Sequence, residues 1–408
     1  MPLIASFGQR GMTPALAALA LTFGLAACSV PSVPSQSAQP APVAPVVETV
    51  PGQFNASAPV RIALLAPYGT GDADREARAQ SIENAARLAV RDIQGATIDL
   101  VTYGTAENPE TAADAARRAI ADGAQMIVGP VFSSSVAAVQ PIAAAANIPV
   151  LSLSNNTEVA GNGAYVLGVT FEDTARRALT EAAERGLRRV GLIHTDDLEG
   201  RVARDGVRAA AVQTGTQVVA TASYPRSQQG IPASAEAYVN AMVSSGAEVV
   251  VMNDRDAGLV YASSFLPFYG LDTRDIQLVS LAPLENDAFA RERTLRGAWF
   301  SVPDPELEEL FTLRYSSVYG GEPHSLAGLA YDAVAAAGAM LVDAQQTQDA
   351  TPFSAEDIQT PLGFAGVNGV FRFTPNGHIE RGLTLMRVTD TTPEVVSPAP
   401  GRFGVIGS

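Results

Sequence analysis

From Pro59 onward the chain alternates two patterns. Short apolar runs, such as VRIALLA at 60–66, have too few polar positions for a half-exposed strand. They match parallel strands buried on both faces. Between them lie stretches with apolar or small residues at helical spacing. In 74–93, for instance, Ile82, Ala85, Ala86, Ala89 and Ile93 share one face. The pattern predicts strands at 60–66, 97–103, 124–130, 148–154 and 164–170, with helices over 74–93, 109–123 and 134–147. It then restarts. Helices over 171–186, 199–214 and 233–245 alternate with strands at 188–194, 216–224, 247–253, 275–281 and 297–303. Helices over 305–321 and 325–344 follow, and a hairpin over 366–389 takes its turn from Pro375, Asn376 and Gly377. Repeated strand–helix units imply parallel sheets with right-handed crossovers. Two runs of them predict an α/β protein of two doubly wound parallel-sheet lobes.

The pattern is absent before Pro59. Arg10 is the only charge ahead of Ser29, and an apolar stretch from Ala15 to Ala27 follows it. That stretch is too short to span a bilayer comfortably as a helix. A basic start, a short apolar run and small residues at its end describe a secretory signal over 1–27. The run closes on Leu25-Ala26-Ala27-Cys28, which resembles the bacterial lipoprotein signal, and Cys28 is the only cysteine in the chain. The resemblance implies lipidation of Cys28 as the first mature residue. Ser29, in place of an inner-membrane retention Asp, implies an anchor on the periplasmic side of the outer membrane. Residues 28–58 are rich in Pro, Ala, Ser and Val with no helical period, and are expected to form a hydrated, disordered tether. Fully extended at about 3.1 Å per residue it would reach roughly 90 Å.

Composition narrows the function. The formal net charge of −15 argues against nucleic acid and against electrostatic docking on anionic lipid, leaving the membrane to be reached through the lipid anchor alone. All the basic residues are Arg, so neither a Schiff-base lysine nor a Walker-type phosphate loop is available. One Cys and three scattered His exclude a multi-thiol site and predict no metal centre. No G-x-S-x-G, H-E-x-x-H or paired-thiol motif appears, so the chain is expected to be no enzyme and to carry no cofactor.

Three segments carry a family resemblance. GPVFSSSVAAVQPIAAAANIPVLSLSNN at 129–156, AYVLGVTFEDTARRA at 164–178 and GVNGVFRFTPNGH at 366–378 resemble the corresponding stretches of type I periplasmic binding proteins, in register over about 60–392. The resemblance implies two lobes joined by three crossing segments, with a ligand cleft between them. The crossings would lie near Thr170, Val302 and Leu362. Lobe I would then comprise 59–170 and 302–362, lobe II 171–301 and 363–392, with a tail at 393–408.

In open α/β sheets, ligands bind beyond the carboxyl ends of the strands. The amino-acid-binding members hold the ligand carboxylate with Ser and Thr groups after the third and fourth strands. Ser133, Ser134, Ser154 and Asn156 stand there. The serines either cap the following helix or leave its N–H groups for an anion. On the other lobe, Asp196 and Asp197 end one strand and Asp254 follows another. Asp196 and Asp197 would bind an amine or stand as solvated loop acids, and Asp254 would be another candidate for the acid that takes an amino group. Leu198 occupies the place where solute binders often carry an aromatic residue.

Lipoprotein signal, long tether and incomplete ligand positions together resemble the penicillin-binding-protein activators. That resemblance implies a regulator whose partner is a peptidoglycan synthase. The alternative is a solute-binding lipoprotein that presents an amino acid or similar small polar ligand to an ABC importer permease.

Overall fold

A computed structural model describes residues 58–403. The signal, Cys28 and nearly all of the tether lie outside the described residues. The first run of strands builds one sheet from β1 (Val60–Ala66), β2 (Ile98–Gly104), β3 (Met126–Val128), β4 (Val150–Ser152) and β5 (Ala164–Val166). All five are parallel, in the order β2-β1-β3-β4-β5. Helices α1 (Ala73–Asp92), α2 (Pro109–Ala121) and α3 (Ser133–Ala145) connect them. Side chains alternate across β1. Ile62, Leu64 and Ala66 join the core under α1, while Ala63 and Leu65 join the core under α2 and α3. That period of two, with both faces buried, is why these strands read as unbroken apolar runs. Asp72 caps α1, and Asn108 caps α2 with Pro109 at its first turn.

The second sheet follows α4 (Phe171–Glu184). It gathers β6 (Arg189–Thr195), α5 (Leu198–Thr214), β7 (Gln217–Tyr224), α6 (Gly230–Ser245), β8 (Val249–Asn253), α7 (Asp256–Phe268), β9 (Gln277–Ser280), α8 (Asp287–Arg291) and β10 (Trp299–Val302). Helices α4 and α5 cover one face, over Leu192, Val251 and Trp299. Helices α6 and α7 cover the other, over Ile193, Met252 and Phe300.

The chain then returns to the first lobe with α9 (Pro305–Tyr319), α10 (Ala327–Thr347), α11 (Ala355–Ile358), β11 (Phe364–Gly366), β12 (Gly369–Phe373) and β13 (Ile379–Arg381). Helix α10 is long and apolar enough to cross a membrane, but 72% of its apolar window is buried inside the protein, where it packs against α1. The last strands, β14 (Thr384–Arg387) and β15 (Glu394–Ser397), extend the second sheet to β15-β14-β10-β9-β8-β6-β7, with both added strands antiparallel.

Three expectations are corrected here. The hairpin predicted over 366–389 is divided. Strands β12 and β13 pair with each other, and β14 leaves for the other lobe. Residues 363–381, expected in lobe II, send Phe364, Phe371, Phe373 and Ile379 into the first-lobe core. The third crossing therefore lies at Arg381–Thr384, and Leu362 is an exposed loop residue of the first lobe. The predicted tail at 393–408 contains β15, an edge strand of the second sheet.

The crossings are tied to one another by buried polar bonds. Arg381, with no exposed side-chain surface, reaches Asp332 on α10 through Nη1 at 3.1 Å and donates through Nη2 to the Leu167 carbonyl at 3.2 Å. Its backbone N–H donates to Asp173 at the start of α4 at 3.2 Å, and the Thr170 hydroxyl donates to the same carboxylate at 2.7 Å. The Ser301 hydroxyl donates to the Thr174 carbonyl, binding the second crossing to the first. Burial pushes the Asp332 and Asp173 carboxyls upward, with Arg381 and Arg176 respectively acting against it. Gly366 is needed beside this cluster, since a Cβ there would lie 2.1 Å from Asp332 Oδ1.

Candidate functional site

The carboxyl ends of both sheets meet across a cavity of about 500 Å³. On the first lobe, the loop after β3 delivers α3. Its N-cap is Phe132, and no side chain caps the helix. Ser133 is its first residue and lines the cavity. The first-turn N–H groups of a helix lack intrahelical partners and carry the positive end of its dipole. The Ser135 hydroxyl in the same turn is buried and has no hydrogen-bond partner among the described residues. Ser134 is exposed and does not line the cavity.

After β4 the chain is held by short side-chain turns. Ser152 Oγ accepts from the Ser154 N–H, Ser154 Oγ from the Asn156 N–H, and Asn156 Oδ1 from the Glu158 N–H, at 3.0–3.1 Å. Ser154 is thus buried and shapes the loop, while Asn155 and Asn156 line the cavity.

The second-lobe wall is ionic. Asp197 caps α5 by accepting from the Gly200 N–H at 2.9 Å and also accepts from the Thr195 hydroxyl at 2.8 Å. Burial raises its carboxyl, but these bonds and the nearby Arg226 outweigh it and hold it below the usual range. Only glycine fits at 200, since a Cβ would stand 1.8 Å from the Thr195 carbonyl oxygen.

Arg226, two residues beyond β7, stands among three carboxylates. Its Nη1 is 2.9 Å from Glu199 and 3.5 Å from Asp197, and its Nε is 2.9 Å from Asp254. The Nε contact is close but out of line for a hydrogen bond, and among the described residues Nη2 has no hydrogen-bond partner. Asp254 is buried and also accepts from the Tyr224 hydroxyl at 2.7 Å and the Arg255 N–H at 2.8 Å. Burial and this carboxylate push the Tyr224 phenol upward. The Arg255 side chain is 60% exposed and lies 3.4 Å from Glu199.

The cavity therefore gathers Ser133 and Asn156 from one lobe and Asp197 from the other, all singled out in the sequence. Asp254 lines an adjoining cavity of about 370 Å³ that runs past Asn155 toward Ser301. Asp196 is exposed and lines neither. Glu199, Arg226 and Arg255 were missed. The available signal was position, because both arginines stand just beyond a strand's carboxyl end, where α/β sheets present their ligand groups. Among the described residues no group of three His, Cys, Asp or Glu side chains could hold a metal ion.

The model of the family described as "Periplasmic binding protein" matches residues 59–393. No curated protein matches the chain. Among solved structures, a branched chain amino acid ABC transporter periplasmic ligand-binding protein from Burkholderia xenovorans LB400 is similar. It has a TM-score of 0.64 and 16% identity, over 84% of this chain and 96% of that one. An ABC transporter substrate-binding protein from Sphaerobacter thermophilus gives 0.62 and 20%, over 85% and 98%. A solute-binding protein from R. palustris, in complex with benzoate, gives 0.56 and 15%, over 86% and 98%.

Proposed function

We propose, from the premise that the chain belongs to the periplasmic binding protein family, that it is a receptor for a small carboxylate-bearing solute. The observation that carries this is the uncapped start of α3, with Ser133 facing Arg255 across a cavity of about 500 Å³. Backbone N–H groups at a helix start, the helix dipole and a half-free guanidinium all favour an anion. The three carboxylates beside two guanidiniums leave the second wall able to hold an ammonium group as well, so a zwitterion suits the cleft. Benzoate and branched-chain amino acids, named with structural neighbours, share the carboxylate. In this reading the protein is no enzyme. It hands its solute to an ABC importer permease and is held at the outer membrane through lipidated Cys28.

The test is calorimetric titration of the full chain with leucine, glutamate, benzoate and 3,4-dihydroxybenzoate. One-site binding that Ser133→Asp abolishes supports the reading. Failure of every carboxylate to bind, or binding indifferent to that substitution, overturns it. A ligand at 100 times its dissociation constant also adds about 2.7 kcal/mol of stability, which thermal unfolding detects.

A second reading is favoured by one observation: the second-wall charges are largely satisfied by one another. In that reading the protein regulates a peptidoglycan synthase, and the 28–58 tether carries the folded part across the cell-wall layer. Native co-purification of a synthase with an empty cleft supports it. A solute retained near one per chain supports the first reading.

A further inference from the structure

Helix α9 carries two apolar faces. One turns Phe311 and Tyr315 inward, 6% and 3% exposed, into a small core shared with Ala85 and Leu88 of α1. On the other side Leu310 and Leu313 are 62% and 61% exposed, and Leu307, one turn before Phe311, stands 37% exposed at the border of the two faces. At 100° per residue Leu310 and Leu313 flank the line opposite Tyr315, where a surface helix ordinarily carries polar side chains. Glu306, Glu308 and Glu309 are interleaved with these leucines and exposed, and among the described residues none forms an ion pair. Arg314 is the only cation on the helix, and it is committed to Asp92, with Nε 3.1 Å from Oδ2. Acids in a first turn are accounted for by the helix dipole. Leu310 and Leu313, turned to solvent, are not.

We infer that this face docks a cationic amphipathic helix of a protein partner. The leucine ridge offers the apolar half of a helix-against-helix contact. The uncompensated carboxylates beside it select lysine or arginine at the rim of the incoming segment. The same carboxylates, on a chain of net charge −15, disfavour a second copy of this chain, an anionic lipid surface and nucleic acid. Helix α9 begins at Pro305, directly after the second crossing, with Asp304 as its cap. A partner held here sits on the first lobe beside a hinge segment. The inference is independent of which solute, if any, the cleft holds.

The experiment measures fluorescence anisotropy of a labelled 18-residue leucine–lysine peptide, with leucines at helical spacing, against the full chain. A scrambled peptide of the same composition serves as the control for bare charge attraction. The ordered peptide is expected to bind at least tenfold tighter than the scrambled one. Leu310→Ser with Leu313→Ser should erase that preference, leaving the thermal midpoint nearly unchanged because both side chains are exposed. Leu310→Gln alone repeats the readout with a smaller perturbation. Glu306→Gln with Glu309→Gln should weaken both peptides and flatten the salt dependence. Equal binding of the two peptides overturns the inference, as does tenfold preference retained in the serine variant. Self-association in sedimentation that the serine variant abolishes also overturns it, because it assigns the face to a second copy.

Discussion

On the first lobe, the strand ends lead into Ser133, Asn155 and Asn156, neutral side chains beside a helix start that nothing caps. On the second, they lead into Asp197, Glu199, Arg226, Asp254 and Arg255, ionic side chains paired largely with one another. The first wall presents helix-start N–H groups that no described side chain caps. The second presents charges whose partners the fold largely supplies. A ligand therefore gains new bonds on the first wall with little rearrangement, whereas on the second it must compete with bonds already made. In the proposed reading this separates recognition from support: the helix start, with the exposed Arg255 opposite it, would decide whether a carboxylate binds, and the Arg226 cluster would hold the shape of the cavity.

The largest expected effect tests the support role. Asp254→Ala would leave Arg226 without one counter-charge and the Tyr224 hydroxyl without its acceptor, inside a buried site. Breaking one side of such a pair should cost about 3 kcal/mol in denaturant unfolding. Loss of solute affinity with no loss of stability would reverse the contrast between the walls.

Ser133→Asp tests the recognition role. A carboxylate placed at the start of α3 should weaken carboxylate binding at least 100-fold by titration. It should leave stability within about 1 kcal/mol, since it suits the helix dipole. Ser154→Ala lies between the two. It removes the acceptor for the Asn156 N–H and should cost about 1 kcal/mol, with a severalfold loss of affinity as Asn156 shifts.

The smallest effect is electrostatic. His194 on β6 is buried, and burial holds its imidazole below the ordinary 6.5, with a bond to the Thr195 carbonyl acting against it. The unfolded chain then takes up a proton before the folded one does. Stability should be full above pH 6.5 and fall as pH drops below it, until the folded imidazole itself titrates. His194→Gln should flatten that slope between pH 7 and 5 without changing carboxylate affinity.

How far the sequence reaches also differs between regions. Strand β1 was legible to the residue, because a strand buried on both faces leaves an unbroken apolar run. Strand β3 was predicted as seven residues and has three, because Gly129 and Pro130 belong to the loop that aims α3. The split of the 366–389 hairpin was not legible. Alternation continues through Arg381, which reads as a solvent-facing residue, and its partner Asp332 lies 49 positions away. The same limit hid the ionic wall. Arg226 follows a proline in what reads as a loop, and its bond to Glu199 spans 27 residues. Long-range charge pairs leave no period in the chain.

The placement of β14 and β15 bears on how the molecule comes into being. The first lobe needs α10 and β12, which begin at Ala327 and Gly369, long after β1 ends at Ala66, and the edge of the second sheet waits for 384–397. Neither half can finish its interior from what a ribosome has delivered midway. Pairings so distant in the chain also form slowly. A polypeptide built in this order remains open and threadable for most of its synthesis, the state required of one that must pass through a membrane channel before it folds.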